Sequence, residues 1–408
     1  MSEVKKNIPA LRFPEFSEEW EKKKLGQLLT FKNGVNATKE QYGKGVKFIN
    51  VLDIIENNFI THDNIKGLVD IEEKEFLKNE VKYGDILFQR SSETREEVGQ
   101  ANVYLDKEKS ATFGGFVIRG QKTSDYDPMF MNYLLKGKTA RKEITTKSGG
   151  STRYNVGQDI LTDVSIKTTT LPEQQKIATF LSSVDKKIGQ LTEKKELLEE
   201  YKKGVMQKIF SREIRFKKED GSAFEEWEER KLGELLTESR IKGDGGDKAK
   251  KLTVKLWGKG VFPKEDKTEG SAQTQYFIRK SGQFIYSKLD FLNCAFGIIP
   301  DELDGLQSTV DLPCFDIKTD LIHPYFLLER VKQKNFYKKF GDTADGSRKA
   351  KRIHANVFFD FFINLPSIPE QQKIANFLTS LDRKIETVGK ELEGVKEWKK
   401  GLLQGMFV

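Results

Sequence analysis

Cysteine and histidine are scarce in this sequence. Cys294 and Cys314 are the two cysteines of the 408-residue chain, and His62, His323 and His354 are its three histidines. The histidines are scattered and neither cysteine belongs to a Cys-x-x-Cys pair, which argues against a zinc site. We expect both cysteines to be reduced residues of the hydrophobic core, because disulfides are rare in proteins that are not secreted.

Long apolar runs are also missing. The sequence contains no stretch of about 18 consecutive apolar residues, the length that a membrane-spanning helix needs. Its start, MSEVKKNIPALRF, has no apolar segment of the length found in signal peptides. These absences predict a soluble, cytoplasmic protein.

Familiar nucleotide-binding and catalytic motifs are absent as well. The phosphate-binding pattern GxxxxGK[ST] does not occur, and the glycines at 243–246 stand in a polar loop that does not join a strand to a helix. An amino-methyltransferase is expected to carry a tetrad such as Asn-Pro-Pro-Tyr. The nearest strings, at 127–130 and 323–326, lack its paired donors and acceptors. We therefore predict a binding protein with no catalytic residues, metal or cofactor of its own.

What the sequence does contain is a long internal repeat. PEQQKIATFLSSVDKKIGQLTEKKELLEEYKKGVMQKIF, residues 172–210, returns without a gap as PEQQKIANFLTSLDRKIETVGKELEGVKEWKKGLLQGMF, residues 369–407, with more than half of the positions identical. A second pair accompanies it, EEWEKKKLGQLLT at 18–30 and EEWEERKLGELLT at 225–237. The chain is therefore organised as module, long segment, module, long segment.

Each long segment is predicted to be one helix. Proline suits the first turn of a helix, and the apolar residues that follow recur at alternating steps of four and three, which is the pattern of a coiled-coil seam. Lysines interrupt this pattern at Lys195, Lys202 and Lys399. The predicted seam consists of Ile177, Leu181, Val184, Ile188, Leu191 and Leu198 in the first helix, and of Ile374, Leu378, Leu381, Ile385, Val388, Leu392 and Val395 in the second.

The two helices are expected to pair with each other. A helix of about 38 residues spans roughly 57 Å, and a whole module lies between the copies, so the chain has room to return. We expect an antiparallel coiled coil with approximate two-fold symmetry that serves as a spacer. A helical hairpin used only for stability or dimerisation is the alternative interpretation.

The two modules are predicted to share one α+β fold, with a mixed sheet and a few helices in each. Residues 84–90 match residues 282–288 as a turn glycine, a short strand and a terminal base, whereas most of the remaining module sequence differs. Two modules that share one fold but differ in their surfaces suit a protein that recognises two targets. Sequence drift after duplication is the alternative explanation of the differences. The predicted divisions are modules at 1–168 and 212–365, and spacer helices at 169–211 and 366–408.

Basic residues cluster in the last third of each module, and the chain carries a net charge of +8. Glycine lets a backbone approach a ligand closely, and arginine grips phosphate or guanine. We therefore predict DNA contacts in these loops, although a solvated loop would explain each one alone. The predicted contacts are Arg90, Ser91, Ser92, Arg95, Lys147, Ser148, Gly149, Gly150, Ser151, Thr152, Arg153 and Tyr154 in the first module, and Lys288, Gly346, Ser347, Arg348, Lys349, Lys351 and Arg352 in the second.

The sequence resembles the specificity subunit of a type I restriction-modification system. The resemblance covers essentially the whole chain: LRFPEF, the two EEW segments and the two PEQQKIA helices. In that family two target-recognition domains, joined by antiparallel helices that set the unread gap, each read one half of an asymmetric bipartite site in double-stranded DNA. The resemblance also implies two modification (methyltransferase) subunits, which bind S-adenosylmethionine and methylate adenine, and two restriction (endonuclease and translocase) subunits, which use ATP and magnesium.

Two other classes of function remain open from the sequence. A self-contained DNA methyltransferase or nuclease would need the cofactor loop and catalytic tetrad that are missing here. A coiled-coil assembly protein that does not bind DNA would use its basic clusters only for solubility. For partner contacts we expect a helix end and the adjoining module, with Phe180, Phe377, Tyr201 and Trp398 as candidates and core packing of these rings as the alternative.

Overall fold

The computed structural model describes residues 7–150, 152–265, 270–342 and 352–408. The chain divides into two compact units, residues 1–193 with 389–408, and residues 194–388. Each unit holds one mixed α/β domain and one stretch of both long helices. The boundaries between the units therefore fall inside the helices.

The first module begins with short strands and helices and ends in a helix of 40 residues. The strands are β1 (Glu21–Lys24), β2 (Leu29–Asn33), β3 (Tyr42–Ile49), β4 (Leu68–Val69), β5 (Ile86–Gln89), β6 (Ser91–Ser92), β7 (Ala101–Val103), β8 (Thr112–Phe113), β9 (Val117–Lys122), β10 (Tyr154–Asn155) and β11 (Ser165–Thr168). The helices are α1 (Val51–Glu56), α2 (Glu73–Lys78), α3 (Pro128–Lys136), α4 (Lys138–Lys147), α5 (Gln158–Asp163) and α6 (Leu171–Phe210).

The second module has a similar order of elements and ends in a helix of 39 residues. The strands are β12 (Glu228–Lys231), β13 (Leu236–Glu238), β14 (Lys242–Gly245), β15 (Leu252–Lys255), β16 (Gly260–Pro263), β17 (Gln275–Ile278), β18 (Phe284–Tyr286), β19 (Phe296–Ile298), β20 (Gln307–Ser308), β21 (Cys314–Ile317) and β22 (Phe362–Leu365). The helices are α7 (Leu232–Leu235), α8 (Pro324–Val331), α9 (Lys334–Gly341), α10 (Ala355–Phe359) and α11 (Ile368–Met406).

Each domain is built on a four-stranded antiparallel sheet, ordered β2-β9-β5-β7 in the first and β13-β21-β18-β19 in the second. Successive side chains of a strand point to opposite faces. Ile86 and Phe88 of β5 enter the larger core cluster, whereas Leu87 enters a separate cluster on the other face. In β18, Phe284 and Ile285 divide between two clusters in the same way. The central strand of each domain thus contributes side chains to two separate core clusters.

Each repeated EEW segment contributes the first strand of a two-stranded ribbon in its own unit. β1 pairs antiparallel with β11, and β12 pairs antiparallel with β22. Trp20 and Trp227, which precede these first strands, are both buried. Each ribbon joins the start of a domain to the strand directly before the long helix.

The glutamate of each PEQQ motif is buried and paired. Glu173 accepts two hydrogen bonds of 2.7 Å from Arg12, and Glu370 accepts hydrogen bonds of 3.0 and 3.2 Å from Arg215. Trp227 Nε1 also donates to Glu370, at 3.1 Å. Because a buried carboxylate is tolerated only when it is paired, these arginines hold the segment before each domain against the first turn of a long helix.

The glutamine after that glutamate connects the helix to the domain. Gln174 Oε1 accepts from the backbone N–H of Asp127 at 2.9 Å, and Gln371 Oε1 accepts from that of His323 at 2.8 Å. Asp127 and His323 are the N-cap residues of α3 and α8. The repeated motif therefore fixes the start of a long helix to the start of a domain helix in both units.

The long helices pack antiparallel within each unit. In the first unit, residues 177–188 of α6 share a core cluster with residues 395–406 of α11 and with Phe407 and Val408, which follow that helix. In the second unit, residues 205–210 share a cluster with residues 374–381. The predicted seam residues are all buried or half-buried. Both helices and their antiparallel pairing agree with the predicted fold class.

Two lysines that interrupt the predicted seam are held by aspartates of the opposite helix. Lys399 donates to Asp185 in the first unit, and Lys202 donates to Asp382 at 2.6 and 2.8 Å in the second. Tyr133 Oη of α3 donates to Asp185 at 2.7 Å. In the same way, Tyr325 Oη of α8 donates to Asp382. Polar groups thus replace the apolar seam at equivalent places in the two units.

Replacement of Glu370 by alanine should lower the free energy of unfolding by about 3 kcal/mol, because it leaves Arg215 and Trp227 without their buried acceptor. Urea denaturation followed by circular dichroism measures the change. Glu397→Ala is the control, since Glu397 is exposed and pairs only with Lys400 among the described residues; its effect should stay below about 0.5 kcal/mol. Equal losses in the two variants would contradict a buried, stabilising role for Glu370.

Candidate nucleic-acid interface

Two sequence segments that were predicted separately form one surface in the first unit. β6 pairs antiparallel with β10, with Ser92 opposite Tyr154 and Ser91 opposite Asn155. Gly149 N–H donates to Asn155 O at 3.1 Å, which closes the loop between α4 and β10 onto the same ladder. The predicted contacts after β5 and those in the closing loop of the module are therefore neighbours.

Gly150 is required by the shape of this loop. Its φ is +122°, and a Cβ at this position would lie 2.1 Å from the carbonyl oxygen of Arg153. Any side chain here would push the backbone of the loop apart. The tight bend leaves Thr152 and Arg153 exposed at the edge of the surface.

A cavity of about 340 Å³ opens beside this ladder. Gln89, Ser92, Glu97, Phe116 and Arg153 are among its lining residues. Gln89 is only 7 % exposed; its Nε2 donates to Ser91 O at 3.0 Å, and its Oε1 has no hydrogen-bond partner among the described residues. A hydrogen-bond acceptor, an aromatic ring and a cation lie together, which is the combination that binds a nucleobase and its phosphate.

The arginines of this surface differ in the number of hydrogen bonds that their side chains already make. Arg153 is exposed and makes no side-chain hydrogen bond or ion pair within the described part of the chain. Arg90 is exposed and makes one long bond, 3.3 Å, to Gly115 O. Phe116, on the rim of the cavity, is 65 % exposed. Arg153 is thus available to contact a phosphate or a base edge, and Arg90 can do so by giving up one long hydrogen bond.

Other predicted contacts in this unit already have partners. Arg95 donates to the carbonyls of Thr145 and Thr146 at the end of α4, and Ser148 Oγ donates to Thr145 O at 2.7 Å. Lys147 donates to Asp163 at 3.1 Å, and this hydrogen bond raises the pKa of Lys147. These three side chains support the loop from the side of α4.

The same backbone junction recurs in the second unit. Val156 N–H donates to Arg90 O at 3.0 Å, and Ile353 N–H donates to Lys288 O at 3.2 Å. Lys288 therefore stands where Arg90 stands, next to exposed Arg352. Burial lowers the pKa of Lys288, and the charge of Arg352 contributes in the same direction. The remaining predicted contacts, Ser151, Gly346, Ser347, Arg348, Lys349 and Lys351, lie outside the described residues.

An exposed aromatic residue of the second unit, Trp257, is not among the contacts predicted from the sequence. Trp257 is 60 % exposed at the tip of the β15–β16 hairpin, with a φ of +63°, and its N–H donates to Asn293 O at 2.8 Å. In the same hairpin, the Lys255 ammonium lies 4.1 Å from the ring centroid of Phe262. The sequence signal that could have indicated this residue is the position of a tryptophan between two lysines, Lys255 and Lys259. Phe116 and Gln89 were missed too, because exposure and burial cannot be read from single residues.

The described residues hold no group of three or more His, Cys, Asp or Glu side chains that could hold a metal ion. In the same part of the chain, no helix is long and apolar enough to cross a membrane. Cys294 and Cys314 are buried free thiols, and burial raises their pKa values to about 11 and about 12. They are core residues, as expected from the sequence.

The type I restriction modification DNA specificity domain matches this chain twice, at residues 17–200 and 224–397. The chain belongs to the type I restriction-modification specificity family. Each match begins close to an EEW segment and ends inside a long helix. The unit of duplication is therefore one specificity domain together with most of the helix that follows it.

Individual members of the family resemble the whole chain. The type I restriction enzyme MjaVIII specificity subunit of Methanocaldococcus jannaschii is 26% identical over 421 residues, covering 98% of this chain and 93% of the relative. The crystal structure of a type I restriction-modification S subunit from M. genitalium has a TM-score of 0.58 at 16% identity, covering 98% and 99%. A chain from a structure on complex assembly and conformational transition of the type I R-M system has a TM-score of 0.53 at 14% identity, covering 94% and 96%. The predicted family and fold are confirmed.

Arg153→Ala should weaken binding to a labelled DNA duplex and reduce the slope of log K against log salt by about 1, because one phosphate contact is lost. Fluorescence anisotropy over a series of salt concentrations measures the slope. Arg383→Ala is the charge-matched control, since Arg383 is exposed on α11 and is not one of the residues that line the cavity. A slope that is the same in both variants would exclude Arg153 as a phosphate contact.

Proposed function

We propose that this chain is the DNA sequence-specificity subunit of a type I restriction-modification complex. It binds a bipartite, asymmetric DNA site, one half per domain, and directs adenine methylation or cleavage by partner subunits that carry the catalytic residues. One observation supports this most directly: the two domains repeat the same frame but present different side chains at the same place.

The side chains of the two units differ most clearly at the backbone junction that follows the central strand, β5 in the first unit and β18 in the second. In the first unit, exposed Arg90 lies next to the cavity that contains Gln89 and Phe116. In the second unit, half-buried Lys288 and exposed Arg352 occupy that place. Two readers with one geometry and unlike chemistry would recognise two unlike sequences, which is what an asymmetric site requires.

The cavity of the first unit suits direct contact with a base. Gln89 Oε1, which has no hydrogen-bond partner in the described part of the chain, can accept a hydrogen bond from the exocyclic amine of adenine or cytosine, the bases that present an amine in the major groove. Phe116 offers an apolar surface to a base face or a thymine methyl group, and Arg153 offers a bidentate donor to phosphate or guanine. We assign the reading of one half-site to these residues.

The partner subunits of the proposed complex would supply the catalytic residues, the metal and the cofactor that this chain is expected to lack. The family places the chain among restriction-modification subunits. We further propose two methyltransferase subunits that hold S-adenosylmethionine, two restriction subunits that use ATP and magnesium, and double-stranded DNA as the ligand of both domains. A coiled-coil assembly protein, the competing interpretation, would show no preference for a duplex and no steep loss of binding with salt.

Exchange of residues 31–165 for the matching stretch of another specificity subunit should change one half-site and leave the other half-site unchanged, because the second domain stays intact. The unread gap should also stay the same, since α6 and α11 are untouched. Sequencing of methylated adenines in DNA modified by the chimaera with its methyltransferase measures both. Changes in both half-sites would contradict independent reading by the two domains.

A further inference from the structure

The hairpin formed by β15 and β16 presents an exposed tryptophan at its tip. Trp257 lies between Lys255 and Lys259, and all three side chains are exposed. A single exposed apolar side chain needs no explanation by itself. The case for a binding role therefore depends on the backbone conformation and the surroundings of Trp257.

Trp257 has a backbone conformation that tryptophan rarely adopts. The loop between the paired residues Lys255 and Gly260 has Trp257 and Gly258 at its centre, with φ values of +63° and +66°. Positive φ at both central residues is the feature of type I′ hairpin turns, where asparagine, aspartate and glycine are preferred. A bulky residue with positive φ is a strained exception, and such exceptions cluster at functional sites. The strain therefore points to a role for the indole ring at this position.

The hairpin tip is fixed to the rest of its domain. Trp257 N–H donates to Asn293 O at 2.8 Å, and Gly258 N–H donates to Cys294 O at 2.7 Å. Behind the tip, buried residues of both hairpin strands belong to the core cluster that also contains Ile285 of β18. The backbone that carries the ring is thus held in place before a ligand binds, which lowers the entropy cost of binding.

The surface around the ring is basic. The Lys255 ammonium lies 4.1 Å from the ring centroid of Phe262, and neither Lys255 nor Lys259 makes a hydrogen bond or ion pair with the described residues. Asp290, in the neighbouring loop, is half-buried, and its carboxylate accepts hydrogen bonds from side chains of its own loop. Two available ammonium groups beside an exposed ring favour a ligand that carries both phosphates and aromatic faces, which is nucleic acid.

The hairpin tip lies close to the backbone junction of the second unit. Asn293 accepts the hydrogen bond from Trp257, and Lys288 accepts the one from Ile353. Asn293 and Lys288 are five residues apart in one loop, so they are separated by at most about 18 Å. This distance corresponds to about five base pairs at about 3.4 Å each. The hairpin tip and Lys288 can therefore contact neighbouring base pairs of one half-site.

An exposed aromatic ring lies near the junction in both units, but on different elements. In the first unit, Arg90 N–H donates to the backbone carbonyl of exposed Phe116 at 2.9 Å. In the second unit, Lys288 N–H donates to Asp311 O at 3.0 Å, so an aspartate stands where the first unit has its phenylalanine. Trp257 thus places an aromatic ring near this junction from the β15–β16 hairpin.

We propose that Trp257 inserts its indole ring between two adjacent base pairs of the second half-site, while Lys255 and Lys259 bind the phosphates beside that step. The proposal rests on the proposed function, which supplies the duplex. Because neighbouring bases cover each other's faces within a duplex, a ring can stack on them only by opening a step, and this kinks the DNA.

The wedge gives the second half-site a specificity that needs no hydrogen bond to a base. Pyrimidine–purine steps are the most easily kinked and unstacked. A site with such a step opposite Trp257 is therefore bound more tightly than one with a stiffer step. This preference adds to the contacts of Lys288 and Arg352.

Binding and bending of a DNA duplex test the proposal. The probe is a duplex that contains the site mapped from adenines methylated by this chain with its methyltransferase subunit. Energy transfer between dyes at the two ends measures the bend, and tryptophan emission with the unlabelled duplex measures stacking. The wild-type chain should bend the duplex, and its emission should be quenched.

Three variants at position 257 separate the contributions of the ring. Trp257→Ala should lose the bend and the quenching and bind the duplex about tenfold more weakly. Trp257→Phe keeps a ring, so it should keep the bend while the quenching disappears. Trp257→Gly should lose the bend without a fall in melting temperature, because glycine adopts positive φ without strain.

Phe362→Ala is the matched control. Phe362 is exposed in the same unit, and the Lys231 ammonium lies 5.5 Å from its ring centroid, but it belongs to the β12–β22 ribbon. Its replacement should leave binding and bending unchanged. Equal losses in Phe362→Ala and Trp257→Ala would overturn the proposal.

The other possible outcomes are distinct. An unchanged bend and affinity in Trp257→Ala would overturn the proposal and leave the proposed function intact. Loss of methyltransferase binding by Trp257→Ala, with the bend retained, would assign the ring to a protein partner and overturn the proposal too. If the wild-type chain does not prefer the mapped duplex to a scrambled duplex, the proposed function itself fails.

Discussion

Each domain takes the end of the helix that follows the other domain into its own core. Phe407, at the end of the chain's second long helix, packs against Trp20 and Phe130 of the first domain. Phe210, at the end of the first long helix, packs against Phe326 of the second. Full burial of one phenylalanine contributes about 2 kcal/mol, and the half-buried rings of Phe407 and Phe210 contribute part of that. Neither domain therefore has its complete core within one continuous stretch of chain.

The polar contacts of the repeat depend on this exchange. In each unit the PEQQ glutamate binds an arginine that precedes the domain, and the adjacent glutamine binds the first turn of a domain helix. An aspartate of one long helix then binds a lysine of the other. Buried polar pairs add little net stability but can select a single register. We interpret these contacts as the features that keep two helices of similar sequence in one alignment.

This arrangement also explains why duplication could produce two different readers. The contacts shared by the units lie at the helices, the ribbons and the central strands. The residues that differ, such as Gln89 with Phe116 in the first unit and Lys288 with Arg352 in the second, lie at strand ends and in loops. Substitutions there leave the core intact, because loops carry few of its packing contacts. Specificity can then change in one domain at a time.

Much of the fold was predictable from the sequence. The long helices begin at Leu171 and Ile368, one residue before the predicted prolines, because a proline in the first turn and a 3.5-residue apolar spacing are local signals. The burial of Glu173 was not predictable, since its partner Arg12 lies far away in sequence and a charged first turn is ordinarily exposed. Local patterns indicate elements but not their long-range partners.

The candidate site was predictable only in part. The loops around Arg90 and Arg153 were predicted from charge and glycine content. Their meeting depends on β6 and β10, two-residue strands that are too short to leave a periodic signal. Whether a basic side chain is free also depends on tertiary contacts: Lys147 is bound to Asp163, whereas Arg153 has no such partner among the described residues. The predicted contacts Gly346, Ser347, Arg348, Lys349 and Lys351 lie outside the described residues and stay predictions.

Hydrogen–deuterium exchange of a chain truncated after Val388 tests the central claim most directly. Removal of residues 389–408 takes Phe407 and its neighbours out of the first core. Exchange should rise in β1, α3 and β11 of the first domain, while β13, β18 and β21 of the second keep the protection of the full-length chain. Unchanged protection in the first domain, or a rise confined to the second, would contradict the exchange of helix ends between the domains.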